Sequence, residues 1–236
     1  MENIYEPEFV KKLFNQMSSS YERVNYITSF GFSIRWRKQF IIKLGSSNEN
    51  LNVIDLLSGL GENWSFLKRN FPNSNFYALD FSENMVNQSR RKGEKLFNNR
   101  LNLICDDVLK NNISFESFDI VSCAFGLKTF NEEQLNSLAQ ELSRILKKGG
   151  KFSFIEVSNP KNRVLSFLYS FYLGKIIPLL GKIFLGNPDD YRMLWIYTKR
   201  FDNSSKIKGI LERHQLEVDL YNYFFGCATG LNGKKI

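Results

Sequence analysis

The chain has 236 residues, 43% of them hydrophobic and 15% aromatic, enough for one large α/β domain with a substantial core and too much for a disordered chain. Its formal charge of +8 comes from dispersed Lys and Arg without a nucleic-acid motif, so a solvated basic surface is expected and no nucleic-acid partner. Three cysteines, Cys105, Cys123 and Cys227, odd in number and set in apolar runs, read as reduced thiols of a cytoplasmic protein and argue against a disulfide framework or a metal site.

The acidic start MENIYEPEFV lacks the basic-then-apolar order of a secretory signal. Residues 8–44 carry aromatic-rich helical patterns around a break at Ser18, Ser19 and Ser20. From residue 50 onward, short apolar runs alternate with helical patterns. Strands are expected at 52–56, 75–80, 101–105, 119–124 and 151–157, and helices at 62–70, 82–96 and 132–147. In the last helix Leu135, Leu138, Leu142, Ile145 and Leu146 share one face. Such alternation predicts a mostly parallel sheet flanked by helices, the Rossmann-like α/β class.

After this core comes an apolar stretch, 164–186, interrupted by Lys175, Pro178 and Lys182, which argues against a membrane-spanning helix. Small or polar residues recur in it at every fourth position: Ser166, Ser170, Gly174, Pro178 and Lys182. A buried helix and a lid over an apolar pocket both fit that pattern, and a helix on a membrane surface fits it less well. A helix at 204–213 and two runs, 216–220 and 223–227, that could pair antiparallel complete the chain.

The segment NVIDLLSGLGENW, residues 52–64, ends a strand in an aspartate and two glycines before a helix begins. Glycine lets backbone turn tightly against a ligand, and a helix start offers unpaired N–H groups. A dinucleotide loop would place a small residue where Trp64 stands, and a pyrophosphate would be repelled by Asp55 and Glu62. Acids stand at three successive strand ends, Asp55, Asp80 and the pair Asp106 and Asp107. They suit a cationic nucleoside ligand, S-adenosylmethionine, with a carboxylate accepting from the ribose hydroxyls.

The series DLLSGLGE, ALDFSENM, CDDV, FDIVSCAFGLK, LKKGG and FIEVSNP resembles the class I methyltransferases that use S-adenosylmethionine. AFGLK followed by IEVSNP is similar to the C-methyltransferases of menaquinone and ubiquinone biosynthesis, a likeness reaching from LFNQMSSSYERVNYITSFG and RWRK to GNPDDYRMLW. The resemblance implies that Ser58, Gly59, Leu60 and Gly61 pass under the methionine part of the cofactor; Asp55, aligned with Gly59, Gly61 and Asp80, is read as a cofactor-side acid rather than a strand-end cap. Asp80 would hold the ribose, with Phe81 and Met85 by the adenine, Asp106 at its amino group and Asp107 alongside. Ala124 and Phe125 would line the floor, and Tyr21 would close over the cofactor. Lys128 stands where the family has Arg and is the candidate cation for a phenolate acceptor; Trp36 and Tyr191 fall on the substrate side. His214, the only histidine, ends a helix-like run and is not expected to act as a base.

The expectation is one domain over 1–236. It divides into an N-terminal helical lid at 1–50, a cofactor core at 51–160, a helical insert over the substrate at 161–203, and a C-terminal helix with antiparallel strands at 204–236. The implied activity is methyl transfer in the cytoplasm to a small hydrophobic, aromatic acceptor, with quinol ring C-methylation foremost; contact with the membrane face and a homo-oligomer are left open. Lys128-Thr129 in place of Arg-Asn, and Lys148 in place of the proline of LKPGG, keep O- or N-methylation of a specialised metabolite in play. Two other classes remain: a nicotinamide-dependent oxidoreductase, and a non-catalytic carrier of hydrophobic ligands.

Overall fold

The computed structural model describes residues 3–98, 100–183 and 188–236. Three helices open the chain: α1 (Pro7–Met17), α2 (Tyr21–Thr28) and α3 (Phe32–Ile42). Proline stands in the first turn of α1, where its missing N–H costs nothing, and the turn between α1 and α2 carries the serine cluster. The core alternates strand and helix as β1 (Asn52–Leu56), α4 (Trp64–Asn70), β2 (Asn75–Asp80), α5 (Glu83–Phe97), β3 (Leu101–Cys105), β4 (Phe118–Ala124), α6 (Glu132–Ile145) and β5 (Leu146–Val157). Then follow α7 (Arg163–Phe171), a π-helical turn (Tyr172–Ile176), α8 (Ile177–Ile183), α9 (Pro188–Phe201), α10 (Ser205–Glu212), β6 (Leu216–Tyr223) and β7 (Ala228–Lys235).

The seven strands form one sheet in the order β3-β2-β1-β4-β5-β7-β6, parallel from β3 to β5 and antiparallel where β7 joins β5 and β6. One face packs Ile54, Val121, Phe152 and Phe154 against Leu138, Leu142 and Ile145 of α6 and Ile207 and Leu211 of α10. The opposite face packs Val53, Phe76, Ile120 and Ile155 against Phe40 and Ile41 of α3, Trp64 and Leu67 of α4, and Phe97 of α5. Strands buried on both faces read as continuous apolar runs, which is why β1 and β2 are legible in the sequence.

Two boundaries differ from the sequence expectation. The expected helix over 132–147 stops at Ile145, where the amides of Glu116 and Ser117 take the carbonyls of Arg144 and Ile145, and Leu146 turns extended to pair with Phe118. The expected strand over 223–227 is instead a 3₁₀ turn at Phe224–Gly226, and the last strand begins at Ala228. Its sequence ATGLNGKK looks like a turn because of its two glycines, yet a Cβ on Gly233 would run into the Glu217 carbonyl oxygen. Glycine is present there because two neighbouring strands press in from both sides. Cys105, though set in an apolar run, is exposed at the end of the edge strand β3, whereas Cys123 and Cys227 are buried.

A third apolar cluster joins the N-terminal helices to α9. Val10, Leu13, Met17, Tyr21 and Val24 pack with Leu60, Met85, Tyr191 and Tyr197, and the Ser20 and Tyr191 hydroxyls lie 2.9 Å apart. Helices from the N-terminal segment and from the insert thus meet over the carboxyl ends of β1, β2 and β4. The sequence order of the strands reverses between β1 and β4, the place where open α/β sheets leave a crevice for ligands.

Candidate active site

At the end of β1 the chain leaves the sheet through Leu57, held at φ 52°, and passes through Gly59 and Gly61 at φ 54° and 73°. A Cβ on Gly61 would lie 2.4 Å from the Trp64 ring, so glycine is required by backbone conformation and by packing together. Asp80, at the end of β2, fixes this loop: one carboxylate oxygen accepts from the Gly59 amide at 2.8 Å and the other from the Ser82 amide at 2.9 Å. Burial pushes the Asp80 carboxyl up to about 6, against the lowering effect of those two amides.

Asp55 lies under the loop, fully buried, with Oδ1 accepting from Ser122 Oγ at 2.6 Å and Asn63 Nδ2 at 2.9 Å. Its Oδ2 has no partner, and burial drives the carboxyl up to about 7. Asn63 in turn accepts from Arg37 Nη1 at 2.7 Å, so a polar chain runs from α3 through the loop to β1 and β4. Phe125, one residue past β4, is held at φ 65°. Two non-glycine residues in left-handed conformation at neighbouring strand ends, Leu57 and Phe125, are strain of the kind that functional clefts retain.

Two cavities meet here. The inner one, of about 70 Å³, is bounded by Ser58, Gly59, Asp80, Phe81, Met85 and Asp107, with Ala124 and Phe125 at its end and Tyr5, Val10 and Phe14 of the N-terminal segment above. The outer chamber, of about 620 Å³, is walled mainly by aromatic and aliphatic side chains, among them Trp36, Phe66, Tyr169, Tyr172, Tyr191 and Trp195. Tyr21, Arg37, Glu62 and Phe125 border both spaces. The Arg37 guanidinium stands 4.8 Å above the Phe125 ring and 3.3 Å from Glu62 Oε1. The sequence marks Glu62 as an acid beside the loop but does not single out Arg37. The available signal was the spacing of Arg37 from Phe40 and Ile41, which puts an arginine on the buried face of α3.

The remaining sequence candidates divide by position. Trp36, Tyr191 and Lys128 border the outer chamber, and Tyr21 borders both spaces. Leu60 turns away into the apolar cluster beneath α1, and Gly61 serves the bend of the loop. Asp106 accepts from the Asp107 amide at 2.8 Å, while Asp107 is the one of the two that borders the inner cavity. Lys128 is buried and paired: its Nζ donates to Glu156 Oε1 at 2.8 Å and to the Phe125 carbonyl at 2.6 Å. His214 pairs with Asn136 far along the chain from these strand ends.

The residues present fit S-adenosylmethionine. A glycine-bent loop lets backbone come close, Asp80 retains lone pairs for hydroxyl donors, and Asp80, Asp107 and Glu62 place negative charge around a cavity with apolar ends. At about 70 Å³ the inner cavity is well below the roughly 300 Å³ of a small-molecule site. Tyr5, Val10 and Phe14 cover it on the N-terminal side, and it opens toward the outer chamber past Tyr21 and Phe125.

Comparison with known proteins bears on the chain as a whole. The model of the ubiE/COQ5 methyltransferase family matches residues 1–235. The demethylmenaquinone methyltransferase of Listeria welshimeri is 31% identical over 207 residues, covering 87% of this chain and 86% of that one. The demethylmenaquinone methyltransferase of Thermotoga maritima is 29% identical over 221 residues, 92% of each chain. Among solved structures, a SAM-dependent methyltransferase of Thermotoga maritima superposes over 95% of this chain and 99% of its own with a TM-score of 0.66 at 16% identity. One from Aquifex aeolicus does so over 85% and 89% with a TM-score of 0.58 at 18% identity. These two likenesses establish the Rossmann-like methyltransferase fold.

Proposed function

Because the chain belongs to the ubiE/COQ5 methyltransferase family and is an S-adenosylmethionine-dependent methyltransferase, we propose that its acceptor is a lipophilic quinol, methylated on a ring carbon. The observation that carries this reading is the outer chamber: it is large, aromatic, and joined to the cofactor cavity through Tyr21, Arg37, Glu62 and Phe125. Relatives named demethylmenaquinone methyltransferase, matched over most of their length, support the same substrate class.

Bound in the inner cavity, S-adenosylmethionine supplies a methyl group already activated on a sulfonium, so the chain has to align, desolvate and stabilise. Asp80 and the Ser58–Gly61 loop hold the donor end, with Asp106 and Asp107 on the side of β3. Phe125 stands between the two spaces with Ala124 on the donor side, and Trp36 and Tyr191 wall the acceptor side. A quinol carbon becomes nucleophilic as an adjacent hydroxyl gives up its proton to water, and a nearby cation stabilises the oxygen left behind; once that carbon has taken the methyl group, its own hydrogen leaves as a proton that restores the hydroxyl and the aromatic ring. Lys128 suits that role: an ammonium has three N–H donors, two are used on Glu156 and Phe125, and one is left for an acceptor oxygen. Arg37 brings a second positive charge to the junction, and Glu62 sets negative charge beside the cradle, matching a positively charged donor.

A direct test is complementation. The gene, expressed in a bacterium deleted for its demethylmenaquinone methyltransferase, should restore methylated menaquinone, and the Asp80→Ala variant should not. Accumulated demethylmenaquinone in cells that contain the folded wild-type protein would refute the assigned acceptor.

A further inference from the structure

An amphipathic helix has one apolar stripe, and a helix apolar all round is normally covered. The run from Arg163 to Leu180 breaks that rule: of its eighteen residues only Pro178 is buried. Its Tyr169, Leu173 and Ile177 wall the chamber, while the small positions hold it to the body, with Gly174 against the Trp195 indole and Ser166 bonded to Asn159. What remains outside is Val164, Phe167, Phe171 and Leu179, on one side of the helix and each more than half exposed.

This face continues around the mouth of the chamber. Phe30, 78% exposed, stacks on Tyr172 of the same run, and Phe224 and Phe225 stand out from the β6–β7 turn with Phe225 80% exposed. Both phenylalanines of that turn are held at positive φ, 41° and 55°. Phe224 packs on Phe32 at 4.5 Å, whereas Phe225 projects from the strained turn into solvent. An apolar rim of this breadth around a ligand opening marks an interaction surface.

Charge identifies the occupant. Between Glu22 and Glu49 the sequence holds Arg23, Arg35, Arg37, Lys38 and Lys43 and no acid. Between Glu156 and Asp189 it holds Lys161, Arg163, Lys175 and Lys182 and again no acid. Arg35, Lys38, Lys161, Arg163 and Lys175 are exposed, on the same segments that carry the bare apolar residues. We infer that this rim docks on an anionic lipid bilayer, with the α7 face and the Phe224–Phe225 turn in the acyl boundary and the basic residues at the headgroups. The helix lies in the membrane plane and does not cross it, because its inner side is the chamber wall. A lipophilic acceptor then passes from bilayer to chamber without crossing water, a route that rests on the quinol reading, whereas the docking does not.

The test is co-sedimentation of the full chain with vesicles of phosphatidylcholine alone or mixed with phosphatidylglycerol. Phe167→Ser, Phe171→Ser and Phe225→Ser, none of which touches the chamber, are combined in one variant whose S-adenosylmethionine affinity by calorimetry reports that it remains folded. Wild type should partition at least about tenfold more strongly onto the anionic vesicles than onto phosphatidylcholine, and the variant should lose about tenfold on them. Wild type left in the supernatant, equal binding to both lipids, or a tight dimer that the same substitutions dissociate would overturn the assignment. Vesicle binding without methylation of any quinol would sink the acceptor proposal and leave the docking intact.

Discussion

Lys128 and Glu156 have to be altered together. Each is buried, and removing one leaves the other as an uncompensated charge, a loss of about 3–5 kcal/mol. Lys128→Met should therefore destabilise strongly, whereas Lys128→Met with Glu156→Gln should recover most of the melting temperature but not the turnover; full turnover in the double variant would remove Lys128 from the chemistry. Asp55 makes a separate prediction. Its carboxyl sits at about 7, so the folded protein holds this proton more tightly than the unfolded chain does. Stability from that proton is present below about pH 4 and is lost as pH rises through 7. Both hydrogen bonds to Asp55 fall on Oδ1, so Asp55→Asn can keep them. The melting temperature of wild type, followed from pH 5 to 8, should fall relative to that variant; parallel curves would contradict the buried ionisation. Asp55, Asp80 and the glycines could be read from the sequence because strand, acid and turn are adjacent there. For Arg37 the helical spacing shows only that it shares the buried face of α3; its place at the junction depends on how α3 lies across the sheet.

The N-terminal helices and the insert behave differently from the sheet. Strands β1, β2 and β3 fall where their apolar runs end, whereas β7 was hidden by glycines that only its two neighbours explain. The insert was ambiguous for a physical reason: its apolar faces serve a cavity and an exposed surface, and periodicity cannot tell those from a core. Its π-helical turn at Tyr172–Ile176 includes Gly174, where a Cβ would lie 2.9 Å from the Trp195 nitrogen, a contact with α9 that no local pattern announces. The α1 helix closes the inner cavity through Val10 and Phe14 and is tied to α5 by the Lys11–Glu83 and Asn15–Ser82 contacts. Since that cavity is too small for an adenosyl group, α1 amides should exchange freely in the apoprotein and become protected on adding S-adenosylmethionine, while β1 and β4 stay protected throughout. Equal protection of α1 in both states would contradict its role as a moving cover.

The whole molecule places its chemistry by topology. Strand order reverses between β1 and β4, the cofactor loop and Phe125 leave the sheet at that gap, and helices from the N-terminal segment and the insert roof it. Family membership fixes methyl transfer from S-adenosylmethionine; the acceptor is what the aromatic chamber and its greasy, basic mouth add. The most direct measurement is the fate of a carbon-13 methyl group when the purified enzyme, methyl-labelled S-adenosylmethionine and reduced demethylmenaquinone are combined in anionic vesicles. A product whose labelled methyl resonates as an aryl methyl on the quinone ring is predicted. Label recovered as a methoxy group, or left entirely on the sulfonium, would contradict the account.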